Sequence, residues 1–232
     1  MLGSIYALIA LGYTMVYGIL RIINFAHGDI LMVGALTTLS GMHALNAHFP
    51  TLPPLAQLGL ALLLAMAVCA LLAMAVERFA YRRLRNAPRL APLISGIGVS
   101  VLLQTVAMIV WSRNPLMFPQ ILSMDAIAVT HGSAAHPPAL VTVTGIVTVA
   151  LAFAVMLGLW LLVEYTRLGR GMRAVAENPR IATLMGVNPN AIIALTFAIG
   201  GIFAALAGVM MASNYGNASF SMGFLPGIKA FT

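Results

Sequence analysis

An all-α bundle of membrane-spanning helices is the fold class this sequence predicts, and three observations predict it. The chain has 232 residues, 61% hydrophobic and 7% charged, with a mean hydropathy of +1.00. Soluble domains carry about 25% charged residues, so this chain lacks the polar side chains to cover a water-facing surface. Its apolar residues form runs long enough for helical spans, not the roughly ten-residue alternating segments of a barrel. A helix also satisfies each backbone polar group within its own segment, as lipid requires. Finally, nine of the twelve basic residues lie in two loops between apolar runs, the pattern of positive-inside topology. That clustering argues against nucleic acid as the partner of the +7 net charge. The single cysteine, Cys69, lies within an apolar run, which excludes an intrachain disulfide and a cysteine-rich metal site.

Taken in order, the chain reads as one transmembrane domain over 1–232, with six spans. Residues 2–20 form the first. The segment is apolar from Leu2 without a basic leader, so it reads as a span and not a cleaved signal. Residues 30–45 form the second, about 16 residues against the roughly 20 a straight span needs, so part of it is expected to begin inside the polar stretch RIINFAHGD, 21–29. A turn region with Pro50, Pro53 and Pro54 follows, and 55–76 is the third span. The loop 77–92 carries Arg78, Arg82, Arg83, Arg85 and Arg89. Residues 93–111 form the fourth span, with Gly96 and Ser100 as a small-residue packing face and Trp111 at its end, where an aromatic belt residue sits. Residues 112–139 form a longer loop, 140–163 the fifth span and 191–211 the sixth, with Gly200, Ala204 and Gly208 as a stripe of small residues. The tail 212–232 shows no clear span. Arginine counts place loops 77–92 and 164–190 in the cytoplasm and 112–139 outside, and parity then puts 21–29 on the cytoplasmic half.

Two stretches are candidate sites. The loop 164–190 holds Glu164, Arg167, Arg170, Arg173, Glu177 and Arg180. Asn178-Pro179 and Asn188-Pro189 pair a good N-cap with the residue favoured at the first helical position, and Gly186 suits the position that ends a helix. These signals predict a helix near Gly171–Glu177, a second over Pro179–Met185, then the capped start of the sixth span. Ile181, Leu184 and Met185 share one face of the second helix. Two readings fit that face: a groove on a partner, or lipid headgroups, with the arginines on anionic lipid.

The second candidate is RIINFAHGD. On a continuing helix Arg21, Asn24 and His27 lie on one side; Gly28 can end that helix and Asp29 can cap the next. One reading is a helix break lining a polar pathway; the other is an ordinary cytoplasmic turn. The remaining signals are weaker. His43, His48, His131 and His136 do not pair at metal-ligand spacing, so no metal site is expected, and Asn217-Ala218-Ser219 matches a glycosylation pattern that is common by chance. The chain has no phosphate-binding loop, no nucleophile elbow and no zinc-protease motif. It is therefore expected not to be an enzyme and to bind no cofactor; any ATP is bound and hydrolysed by other chains.

The segments GSIYALIALGYTMVYGILRIINFAHGDILMVGA (3–35), ERFAYRRLR (77–85), ISGIGVSVLLQ (94–104), RLGRGMRAVAENPRIATLMGVN (167–188), IALTFAIGGIFAALAGV (193–209) and YGNASFSMGFLPGIKAFT (215–232) resemble, in the same order, the LIV-type, LivH-like permeases of branched-chain amino-acid ABC importers. The resemblance covers nearly the whole chain except the loop around 112–139. It implies a type II-like helical permease with inverted repeats, located in the bacterial inner membrane. It implies as partners a second, LivM-like permease subunit, two cytoplasmic ATPase subunits and a periplasmic amino-acid-binding protein. In the family's ATPase-coupling loop the matching positions are Gly171, Arg173, Glu177, Asn178, Pro179, Arg180 and Gly186. Asn24, His27, Gly28 and Asp29 are then candidates for the translocation pathway. Urea and short-amide permeases are near relatives and supply the alternative substrate class; an autonomous channel or secondary transporter is a further alternative. Family members usually continue beyond the final KAFT segment, so the chain is expected to be shortened, chiefly at its C-terminus.

Overall fold

The computed structural model describes residues 2–85, 87–88, 90–121, 126–128 and 140–231. Arg89, His131 and His136 lie outside the described residues. Among the described residues six long helices, each apolar and long enough to cross a membrane, dominate the fold. They are α1 (Leu2–Leu20), α2 (His27–His48), α3 (Pro54–Val76), α4 (Leu90–Val110), α5 (Val143–Tyr165) and, after two short helices α6 (Arg167–Glu177) and α7 (Pro179–Leu184), α8 (Pro189–Tyr215). A last short helix, α9, spans Phe224–Phe231. Two small antiparallel ribbons complete it: β1 (Leu116–Met117) pairs with β4 (Asn217–Ala218), and β2 (Ala126–Ala128) with β3 (Leu140–Thr142).

A long helix stands at each of the six expected spans, most with shifted ends. The second begins three residues earlier and ends three later than 30–45, because α2 takes His27, Gly28 and Asp29 into a buried first turn. The fifth begins at Val143, not 140, since Leu140–Thr142 is a strand and Thr142 caps the helix by accepting from the Gly145 amide at 3.3 Å. The sixth runs on to Tyr215 and ends at Gly216, whose φ of 69° lies in the left-handed region. The fourth starts at Leu90. The expected loop 77–92 is largely helical: α3 continues through one π-helical turn, Glu77–Tyr81, and a 3₁₀ turn, Arg82–Leu84.

α2, α3 and α8 pack most extensively on one another and form the centre. Of the spanning windows, those of α2 and α8 are each 61% buried, against 22% for α4 and 11% for α5. The central pair is brought close by small residues. Gly208 lies against the Leu31 carbonyl, and a side chain on Gly34 would stand 2.6 Å from the Ala205 Cα. Cys69, fully buried on α3, directs its thiol to the Ile30 carbonyl at 3.4 Å. In lipid the cohesion of such helices comes from close packing, since lipid tails are as apolar as leucine. α4 and α5 expose Ile94, Val101, Ile109, Phe153 and Leu157, a surface suited to acyl chains.

Contacts sort the connections to two ends. Tyr81 reaches Asn24, and Arg85 reaches Asn190, so the three segments that the arginine count assigns to one side meet at one end of the bundle. At the other end β1 pairs with β4. Beyond β4 the tail folds back: α9 packs on α1 and α2, and Gly223 comes against Gly28.

Candidate functional site

The loop 164–190 is built from helix caps. Thr166 starts α6 by accepting from the Gly169 amide at 3.0 Å. The helix therefore begins at Arg167, four residues before the expected Gly171. Gly171 itself packs against Ile192 of α8. Arg173 donates to Glu164 at 3.0 Å and to the Val163 carbonyl, tying α6 back to the end of α5. The pair is about half exposed, the kind of surface bridge worth about 0–1 kcal/mol. Glu177 ends α6 on its exposed side.

Asn178 then turns the chain. Its side-chain oxygen accepts from the Arg180 and Ile181 amides at 3.0 and 3.2 Å, with Pro179 at the first helical position. Gly186 closes α7 with φ 81°; its amide donates to the Thr183 carbonyl and that of Val187 to the Ala182 carbonyl, both at 3.0 Å. This pair of bonds is a Schellman motif, and it makes Met185 the C-cap where the sequence predicts a helical residue. Asn188 repeats the first cap on α8, accepting from Asn190 and Ala191. A helix as short as α7 is marginal by itself; these caps hold it. Ala182 is its buried residue, while Ile181, Leu184 and Met185 are 57%, 86% and 80% exposed. Arg180 is exposed beside them.

The stretch 21–29 is built the opposite way. α1 ends at Leu20, and Arg21 takes φ 52°, unusual for a residue with a side chain. The expected continuing helix is thus broken before Asn24, so Arg21, Asn24 and His27 do not share a helical side. Gly28 does not end a helix, nor does Asp29 cap one; both lie in the first turn of α2, whose N-cap, Ala26, makes no side-chain bond. The reason is tertiary. Asp29 Oδ1 accepts from Gln104 of α4 at 3.0 Å, and Gln104 also donates to Ser100 at 3.2 Å. Asn24 Oδ1 accepts from the Tyr81 hydroxyl at 3.1 Å. The His27 imidazole lies 4.7 Å from the Tyr13 ring. Gly28 meets the Gly223 carbonyl so closely that a Cβ there would overlap it. Asn24, His27 and Asp29 are 2%, 2% and 0% exposed. Among the described residues, His27 Nε2 and Asp29 Oδ2 have no hydrogen-bond partner. Such groups are costly, and irregular backbone at membrane depth is tolerated where protein covers it or a cavity adjoins it. A cavity of about 140 Å³ lies beside it, between α1 and α9, lined by Tyr13, Thr14, Tyr17, Ile23 and Ala230.

A third element, not singled out by sequence patterns, touches both sites. Glu77 is completely buried, and its carboxylate accepts from Arg82, at 2.9 and 3.3 Å, and from Arg85. Arg85 donates in addition to Asn190 Oδ1 at 2.7 Å. Burial presses the Arg85 guanidinium below its ordinary value and the Glu77 charge opposes this; a guanidinium stays protonated in either case. One signal is visible in the sequence: Glu77 is the sole acid in a segment of five arginines. Among the described residues no three metal-ligating side chains converge.

Comparison with known proteins fits this architecture. The family model described as "Branched-chain amino acid transport system / permease component" matches residues 1–232. The high-affinity branched-chain amino acid transport system permease protein BraD of Pseudomonas aeruginosa is 40% identical over 230 residues, covering 99% of this chain and 74% of its own length. The corresponding permease protein LivH of Salmonella typhimurium is 39% identical over 232 residues, covering 100% of this chain and 74% of its own length. The galactose/methyl galactoside import permease protein MglC of Escherichia coli is 32% identical over 77 residues, 33% of this chain and 21% of its own length. No solved structure matches the chain significantly. With six helices able to span a membrane and full-length similarity to transport permeases, this multi-pass inner-membrane chain belongs to the permease-component family of branched-chain amino acid transport systems.

Proposed function

We propose that the chain is the membrane subunit through which an ATP-driven importer carries branched-chain amino acids across the inner membrane. The observation that carries this reading is α7, a helix held by caps at both ends that turns Ile181, Leu184 and Met185 outward. Lipid-facing side chains need no such scaffold, whereas a groove on a soluble partner needs an apolar ridge of fixed position. The partner is one of two cytoplasmic ATPase subunits, docked on the ridge of the loop that Gly171, Arg173, Glu177, Asn178, Pro179, Arg180 and Gly186 build. The ATP is bound there and not by this chain. A second permease subunit completes the membrane assembly and a periplasmic binding protein delivers the amino acid. The arginine-bearing end lies in the cytoplasm, as the positive-inside rule requires. The buried polar break at Asn24, His27, Gly28 and Asp29 forms part of the translocation pathway, with its unpartnered polar atoms available to solute or water when the bundle opens. The names of the full-length relatives support branched-chain amino acids as the cargo.

The test is reconstitution of this chain with its second permease, both ATPases and the binding protein in proteoliposomes. ATP-dependent accumulation of leucine, isoleucine and valine is expected, with no uptake when the ATPases are left out. Uptake of urea or short amides in place of these amino acids overturns the cargo, and solute flux without the ATPases overturns the mechanism.

A further inference from the structure

The buried carboxylate of Glu77 stands where α3 loses its regular winding. Residues Glu77–Tyr81 form a single π-helical turn, a feature frequent at functional sites. An acid with two arginines in so enclosed a place costs desolvation energy that apolar side chains would avoid, so its stability value is a weak reason for it. Its connections supply a better one.

On one side, Arg85 holds Glu77 with one guanidinium nitrogen and Asn190 with another. Asn190 is in the first turn of α8, and its amide is held by the Asn188 cap that also closes the loop containing α7. On the other side, Tyr81, four residues after Glu77 in the same turn, donates its hydroxyl to Asn24 in the break between α1 and α2. The Tyr81 ring is buried, 5.6 Å from the ring of Phe197 on α8, and Gly96 of α4 leaves room for its hydroxyl. The bonds Asn190 to Arg85 and Tyr81 to Asn24 therefore hang on opposite ends of one helical turn, which Arg82 and Arg85 brace by gripping Glu77 from two directions.

We infer that the π turn Glu77–Tyr81 is the link that couples the position of the loop 164–190 to the conformation of the polar break 21–29, with Arg85 and Tyr81 as its positioning residues. This rests on the proposed role of that loop as the ATPase dock. When the dock moves, Asn190 moves with the start of α8, Arg85 transmits the shift to Glu77, and Tyr81 shifts against Asn24. A chain of packed and hydrogen-bonded groups is one physical form such coupling takes.

The test uses the complete importer in proteoliposomes and reads leucine imported per ATP hydrolysed, with recovery of the assembled complex as the control for folding. Tyr81→Phe removes the bond to Asn24 and keeps the ring. Asn190→Ala removes the bond to Arg85 and leaves the Asn188 cap intact. Each is expected to lower import per ATP about fivefold, the size one hydrogen bond supports, while ATP hydrolysis and assembly persist. The double variant is expected to fall no further than the worse single one, because both bonds belong to one linkage. Arg85→Lys, which keeps the charge but loses the fork that spans two acceptors, is expected to fall to the same level. An unchanged ratio in Tyr81→Phe overturns the inference, as do losses that multiply in the double variant or merely follow a loss of assembled complex. If the wild-type complex fails to import leucine with ATP, the functional reading falls and this link with it; if the wild type imports and the variants keep its ratio, the link alone falls.

Discussion

Residues 164–190 and residues 21–29 are both polar stretches set between apolar helices, and they are stabilised in contrasting ways. In the first, each turn is closed by a residue within a few positions of it: Thr166 on Gly169, Asn178 on Arg180 and Ile181, Gly186 on Thr183, Asn188 on Asn190 and Ala191. The large apolar side chains Ile181, Leu184 and Met185 are left facing outward. In the second, the polar side chains are buried and their partners come from far along the chain: Tyr81 for Asn24 and Gln104 for Asp29. A segment held by its own caps can keep its shape while it binds something outside. A segment held by distant helices changes shape when those helices move. The contrast matches the two roles proposed, a dock and a part of the translocation pathway.

The comparison breaks most visibly at Gly28. Gly28→Val puts a branched Cβ against the Gly223 carbonyl, and overpacking against backbone leaves little room to relax. Loss of folded protein in detergent, followed by size-exclusion chromatography, is expected; a well-folded Gly28→Val variant would show that α9 is not fixed against α2. Gly186→Val meets open space but must hold φ near 81°, a strain of about 1–2 kcal/mol for a side-chain residue. The bundle is expected to stay folded while ATP hydrolysis loses its dependence on the binding protein and uptake falls about tenfold or more. Gly186→Asn, which tolerates this conformation, should restore much of the coupling.

Smaller effects sharpen the distinction. Asn178→Ala removes the cap shared by the Arg180 and Ile181 amides, a loss of about 1 kcal/mol. Amide exchange is expected to speed up in α7 and to stay unchanged in α2. Leu184→Ser, and separately Glu177→Gln, change exposed side chains and should move stability by less than about 0.5 kcal/mol. Both are expected to weaken co-purification with the ATPases. Full recovery of the ATPases and full uptake with these variants would remove the docking assignment and leave α7 to the lipid surface.

Much of this is readable from short-range patterns. The first span matches Leu2–Leu20, and the third differs from α3 by one residue at its start. The caps of the 164–190 loop follow their residue types, because a cap is a contact between near neighbours and needs no knowledge of the rest of the fold. The same reasoning misjudges α6, where it overlooks Thr166 as a cap, and 21–29, where it gives Gly28 and Asp29 local roles. Those residues instead answer to Gly223 and Gln104, which the sequence places 195 and 75 positions away. Glu77 escapes it for a related reason. An acid among arginines on a polar loop reads as a surface group, and only the packing of α3, α4 and α8 encloses it.

The amino-acid sequence alone determined that the chain is a helical membrane protein, where its apolar runs lie, and how the loop between the fifth and sixth of them is punctuated. These follow from composition, run length and near-neighbour hydrogen bonding. The tertiary structure decided which helices form the centre, that the tail returns to meet Gly28, and that a π turn with Glu77 and Tyr81 buried joins the capped loop to the polar break. Those depend on close approach between distant segments, set by small residues at Gly34, Gly208 and Gly223, by the buried hydrogen bond from Tyr81 to Asn24 and by the exposed one from Arg85 to Asn190.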